Sequence, residues 1–141
     1  MPPFSVEPVA DHAELRASLY ELVGRFLADY ERAAVAHGLT LTQARVLGFA
    51  ACEPLSQRQL AERFGCDPSN ISVLVDRLVE RELVERRPDP SDGRVKLIAA
   101  TPAGRALAER CCADREWLSA ALDRLDAGQR DALQDALALL L

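Results

Sequence analysis

Ser69, Asn70 and Ser72 crowd three short hydrogen-bonding side chains together, and two guanidinium groups, Arg77 and Arg94, follow in polar surroundings. Hydroxyl and amide groups on short stems donate and accept at close range, and a guanidinium pairs with anionic oxygen. These are recognition groups, not bond-breaking ones. Catalysis would need a convergent nucleophile, base or metal set, and the chain has no zinc-protease helix motif, phosphate loop or nucleophile elbow. Asp89 and Asp92 could be taken as a carboxylate pair, but they sit in a Pro-, Ser- and Gly-rich stretch where turn chemistry accounts for both. The imidazoles are His12 and His37, and Cys52, Cys66, Cys111 and Cys112 lack the spacing of a zinc site. The expectation is therefore a chain that is not an enzyme and holds no metal or cofactor.

The elements that must carry these residues follow from local signals. Ser56 and Gln59 make a capping box that opens a helix ending near Phe64, with Gly65 free to take the left-handed conformation beyond it. Asp67 caps the next helix and Pro68 occupies its first position, where a missing N–H costs nothing. Ile71, Leu74, Val75, Leu78 and Val79 recur at helical spacing, so that face is expected to be buried. Ser69, Asn70, Ser72, Asp76 and Arg77 then point outward. Small polar residues at the helix tip suit entry into a major groove, because bulky ones would hold the helix off the base edges. Leu83 to Arg87 and Val95 to Ala99 read as two strands. Between them, residues 88 to 94 form a projecting loop with Arg94 near its tip, where an arginine suits a narrow minor groove. The pattern predicts a mostly α, winged helix-turn-helix fold.

The runs Cys66-Asp67-Pro68-Ser69-Asn70-Ile71-Ser72, Leu74-Val75-Asp76-Arg77-Leu78 and Asp89-Pro90-Ser91-Asp92-Gly93-Arg94, followed by Thr101 and Gly104, resemble the MarR family of bacterial transcription regulators. The resemblance implies that the helix from Pro68 is a recognition helix, that Arg77 holds a backbone phosphate, and that Asp92 and Arg94 are the paired acid and minor-groove arginine of the wing. Ser69, Asn70, Ser72 and Val73 are the candidates for base contact. Val73 and Gly93 depart from the family pattern, which often has a longer polar or basic residue at the first position and a second arginine at the other. It further implies a repressor acting on double-stranded DNA, released by a small aromatic or phenolic ligand bound between the flanking helices and the DNA-binding lobe. Tyr20, Tyr30, His37, Arg45 and Trp117 are residues that could line such a pocket.

The rest of the 141-residue chain fits one domain, with residues 40 to 101 as the DNA-binding lobe and 1 to 37 and 102 to 141 as dimerisation helices. Leu15, Leu19, Leu22, Val23, Phe26, Leu27 and Tyr30 give a first helix from about Asp11 to Ala36 a continuous apolar face. Thr40 and Gln43 cap a connector helix from Leu41 to about Cys52. Thr101 and Pro102 start a long helix whose stripe runs on to Leu125, and Asp126 with Gln129 starts a last one carrying Leu133, Leu137 and Leu140. One lobe of this size could hardly bury so many terminal leucines, so a homodimer is expected, reading two inverted half-sites about one helical turn apart.

The net charge of −5 conceals a local balance. From Pro54 to Leu97, Arg58, Arg63, Arg77, Arg81, Arg86, Arg87, Arg94 and Lys96 meet Glu62, Asp67, Asp76, Glu80, Glu82, Glu85, Asp89 and Asp92, so the acid excess lies in the flanks. No long uncharged apolar run is present, and Met1 to Ser5 has neither a basic start nor an apolar core, which predicts a cytoplasmic protein with no membrane span. Met1 to Val9 reads as an arm. The cysteines are expected to pack as small apolar residues. Two alternatives stay open: a thiol-based redox regulator of the same fold, and a winged-helix protein-interaction module that has lost DNA binding.

Overall fold

The computed structural model describes residues 12–141; the reading of Met1 to Val9 as an arm and of Asp11 as the first helical residue lies outside them. Helix α1 (Ala13–Ala36) ends where Gly38 takes a left-handed φ of 72°. Helix α2 (Leu41–Cys52) opens on the expected capping box, the Gln43 N–H donating to Thr40 Oγ1 at 3.1 Å and the Thr40 N–H to Gln43 Oε1 at 3.0 Å. Strand β1 (Leu55–Ser56) leads directly into α3 (Gln57–Phe64), whose N-cap is Ser56 and whose end is Gly65 at φ 62°. Helix α4 (Pro68–Glu80) is capped by Asp67, which accepts the Ser69 N–H at 2.9 Å. Strands β2 (Val84–Pro88) and β3 (Lys96–Ala100) follow, then α5 (Pro102–Ala113), α6 (Trp117–Asp123) and α7 (Ala127–Leu140).

The winged helix-turn-helix reading holds, with two corrections to its sheet. The sheet has three strands in the order β1-β3-β2, all neighbours antiparallel, because Leu55 pairs with Ile98 and Ser56 with Leu97. Both wing strands also start one residue later than expected. The Leu83 N–H is still used by α4, donating to the Leu78 carbonyl after Glu82 has turned the chain at φ 58°. Val95 closes the wing loop instead of extending the ladder: its N–H donates to the Asp92 carbonyl and its carbonyl accepts the Asp89 N–H.

The core lies where α2, α3, α4 and the sheet meet, with Val46, Leu47, Leu60, Ile71, Val75, Leu78, Val84 and Ile98 fully buried. Burying each such side chain contributes about 1.5–3 kcal/mol, so the lobe that carries α4 is firmly fixed. Helix α2 packs on α1, α4, α5 and β3, and is thus the element common to the lobe and the flanking helices.

The long helix expected from Pro102 to Leu125 is broken. Asp114, Arg115 and Glu116 separate α5 from α6, although no Gly or Pro marks the spot. Tertiary contacts explain it: Asp114 accepts from Arg32 through its carbonyl at 2.7 Å and pairs through its carboxylate with His37 Nε2 at 2.6 Å. The Trp117 N–H donates to Asp29 Oδ2 at 3.2 Å, so α1 supplies the cap that α6 lacks in its own sequence.

Apolar faces on the flanking helices are left open. On α1, Leu15, Leu19, Leu22 and Val23 are exposed, Leu15 by 60%, while Phe26, Leu27 and Tyr30 are partly covered. No residue of α7 is buried, and Leu133, Leu137 and Leu140 face outward. Among the described residues no helix is long and apolar enough to cross a membrane.

Candidate nucleic-acid interface

Helix α4 presents one buried and one polar side. Ile71, Val75 and Leu78 are buried, whereas Ser69, Asn70, Val73, Asp76 and Arg77 are exposed and Ser72 is half-buried. Ser69, Ser72, Val73 and Asp76 share one face at helical spacing, with Asn70 and Arg77 beside them. Val73 is 54% exposed, an apolar side chain with no share in the core. Arg77 makes no side-chain hydrogen bond or ion pair among the described residues, so its guanidinium is available to an outside anion. Asp67 both caps the helix and accepts from the Ser69 hydroxyl at 2.7 Å, and these two bonds hold its carboxyl below the usual carboxylate range.

The wing is built by the same device. Asp89 accepts the Ser91 N–H and hydroxyl, each at 2.8 Å, which also lowers its pKa, and Asp92 accepts the Arg94 N–H at 3.1 Å. The Asp92 carboxylate lies 3.4 Å from Arg94 Nε. Arg94 is 94% exposed through its side chain, so it projects as expected. Asp89 and Asp92 thus serve the loop's own geometry. The wing is tied to α4 through Arg86 of β2, which donates to Asp76 at 2.5 Å. The predicted contact residues therefore come together on two linked elements, α4 and the wing.

A second feature was legible only in part. A cleft of about 280 Å³ lies between α1, α2 and α5, lined mainly by apolar atoms, with Tyr30, Arg105 and Arg115 among its walls. Tyr30 donates to the Ala44 carbonyl at 3.2 Å, and burial raises its pKa. The Arg115 guanidinium lies 4.1 Å over the Tyr30 ring, and its Nε is buried without a hydrogen-bond partner among the described residues. Of the five residues expected to line a ligand pocket, only Tyr30 lines this cleft. Tyr20 is exposed on α1, His37 is paired with Asp114, Arg45 stacks over Phe64, and Trp117 lines shallow hollows against α1. Arg115 was missed because it sits in the helix break, which periodicity did not reveal.

The packing expectation for the cysteines holds for Cys111 alone, which is buried and whose thiol pKa is raised by that burial; Cys52, Cys66 and Cys112 are exposed. Cys52, Cys111 and Cys112 line the cleft together.

A model of the MarR family matches residues 37–95, the segment from the end of α1 through the wing loop. Among solved structures, the chain is similar to a MarR family transcriptional regulator from Rhodococcus sp. RHA1, with 34% identity and a TM-score of 0.73 over 92% of this chain and 94% of that one. It is also similar to CouR from Rhodococcus jostii RHA1 bound to p-coumaroyl-CoA, with 38% identity and a TM-score of 0.71 over 89% and 87% of the two chains. The transcriptional repressor NicR of Pseudomonas putida is 37% identical over 82 residues, which is 57% of this chain and about half, 51%, of that relative.

Proposed function

The chain belongs to the MarR family of transcriptional regulators, and from that premise we propose that it is a homodimeric repressor of a palindromic operator, released when a small aromatic acid fills the cleft. The observation that carries the DNA-binding reading is the joining of an exposed polar helix tip, Arg77 and the Asp92-braced Arg94 on two elements linked by Arg86 and Asp76. In this reading Ser69, Asn70, Ser72 and Val73 face base edges, Arg77 meets a phosphate, and Arg94 enters the minor groove with Asp92 aiming it. The open faces of α1 and α7 support dimerisation through residues 1–37 and 102–141, leaving 40–101 as the lobe that meets DNA. Such a regulator works in the cytoplasm.

For the ligand, the supporting features are the stacked Tyr30 and Arg115 and the unpartnered Nε of Arg115, which suit a ring bearing an anionic group. The volume is at the lower end of ordinary ligand sites, roughly 300–1,000 Å³, so a single-ring acid fits and any larger conjugate extends outside. Because α2 touches α1, α4 and α5, a ligand wedged against it biases the spacing of the two recognition helices. A second reading, thiol-responsive regulation, is favoured by the three cysteines lining this same cleft.

The test is selection of a binding site from random duplex DNA by the purified protein, followed by titration of the selected site with wild type, Arg94→Ala and added p-coumarate or p-coumaroyl-CoA. Tight wild-type binding, weakened by Arg94→Ala and by either compound, is expected. Failure to enrich any site would favour the protein-interaction alternative; release by oxidants but not by either compound would favour the thiol reading.

A further inference from the structure

Val73 is the one large apolar side chain of α4 that is left exposed. A single exposed valine is ordinary on a protein surface, but the setting of this one is not. Its neighbours one turn away on the helix, Ser69, Asn70, Asp76 and Arg77, are all polar and all exposed, so Val73 stands alone in the middle of a hydrogen-bonding face. It is the sixth residue of the 13-residue α4, within the N-terminal half that reaches base edges when such a helix enters a major groove. Two of the four neighbours are already engaged within the protein: the Ser69 hydroxyl donates to Asp67 at 2.7 Å, and Asp76 accepts from Arg86 at 2.5 Å. The rim of this face is thus held in place by polar contacts, while its centre is aliphatic.

An aliphatic group at that position selects its partner by chemistry. Every base edge in the major groove carries hydrogen-bonding atoms, and thymine alone adds a methyl group. Against guanine, adenine or cytosine, valine would strip water from those atoms and return no hydrogen bond. Against thymine, methyl packs on methyl. Valine is also β-branched, so in a helix its χ1 is nearly fixed and little freedom is lost on contact. We propose that Val73 sets the specificity of one position in each half-site by packing on the C5-methyl group of a thymine. This rests on the reading that α4 enters a major groove, and it adds to that reading the chemical feature selected there. The contact is apolar, so the discrimination it gives does not depend on salt, unlike the phosphate contact proposed for Arg77.

The experiment measures binding of the full chain to the duplex selected from random DNA, with each thymine replaced in turn by uracil, which lacks only the C5-methyl group. Wild type is compared with Val73→Ser, since serine and valine have similar helix propensities and the variant is expected to melt at the wild-type temperature. One thymine, at the same position in each half-site, is expected to lower wild-type affinity about fourfold when replaced, the effect of exposing one buried methyl-sized group. That ratio should hold at low and high salt, and Val73→Ser should bind the thymine and uracil duplexes equally. A wild-type affinity indifferent to every replacement, or a uracil penalty that Val73→Ser retains, would overturn the thymine contact while leaving DNA binding intact. Absence of wild-type binding to any duplex would overturn the major-groove reading and the contact with it.

Discussion

Gly104→Ala sets two effects against each other, and the structure decides the sign. Gly104 lies inside α5, where alanine is the better helix former by about 1 kcal/mol. Propensity alone therefore predicts stabilisation. However, a Cβ at Gly104 would sit 1.8 Å from the Leu83 carbonyl oxygen, 2.8 Å from its carbon and 3.1 Å from Leu47 Cδ1. The oxygen cannot yield easily, since it belongs to backbone and accepts the Thr101 N–H at 3.1 Å. The first turn of α5 must move instead, and with it the cap in which Thr101 Oγ1 accepts from Gly104 N–H and donates to the Glu82 carbonyl. Overpacking costs about 1–3 kcal/mol and a lost threonine cap about 1 kcal/mol. Against the gain of about 1 kcal/mol, the net is a loss of roughly 1–3 kcal/mol. Urea unfolding followed by circular dichroism, at one fixed chain concentration because dimers gain stability by mass action, measures it. A midpoint at or above that of wild type would refute the packing argument.

Three further outcomes are expected. Leu19→Glu on the open face of α1 should give monomers in sedimentation and weaken DNA binding by at least tenfold, since a bidentate dimer then loses one half-site; unchanged mass would rule out α1 as an interface. Asp67→Asn keeps a capping oxygen but removes a carboxylate whose pKa is depressed by Ser69. A depressed carboxylate stabilises above its unfolded value and loses that contribution as pH falls through the folded one, so wild type should lose stability below about pH 4 more steeply than the variant; parallel acid melts would contradict this. Alkylation of the native protein should label Cys52, Cys66 and Cys112, and reach Cys111 only on unfolding, as read by mass spectrometry of the peptides.

What the sequence made legible was whatever is encoded within a few residues. The caps at Thr40, Ser56, Asp67, Thr101 and Asp126 all form, because each needs only a partner two or three positions on. Strand β1 escaped notice because two residues carry no period, and its pairing with β3 bridges some forty positions of chain. The break after α5 escaped for the same kind of reason: the stripe from Ala103 to Leu125 reads as unbroken, and the groups that interrupt it, Asp29, Arg32 and His37, lie on or just beyond α1. Arg115, one wall of the cleft, lies in that break. By contrast the wing loop was legible, since Asp89 and Asp92 satisfy it locally, although its exact strand ends depended on where the Leu83 and Val95 hydrogen bonds go.

In the proposed complex, two copies of α4 and the wing read a symmetric site together. Hydroxyl-radical footprinting of the selected DNA tests it most directly. Two-fold symmetric protection is expected, in which the centres of the two half-sites lie about 10 base pairs, or a multiple of that, apart, with Arg94→Ala uncovering the minor-groove positions of both halves. A single unsymmetric patch, or a footprint indifferent to Arg94→Ala, would contradict it.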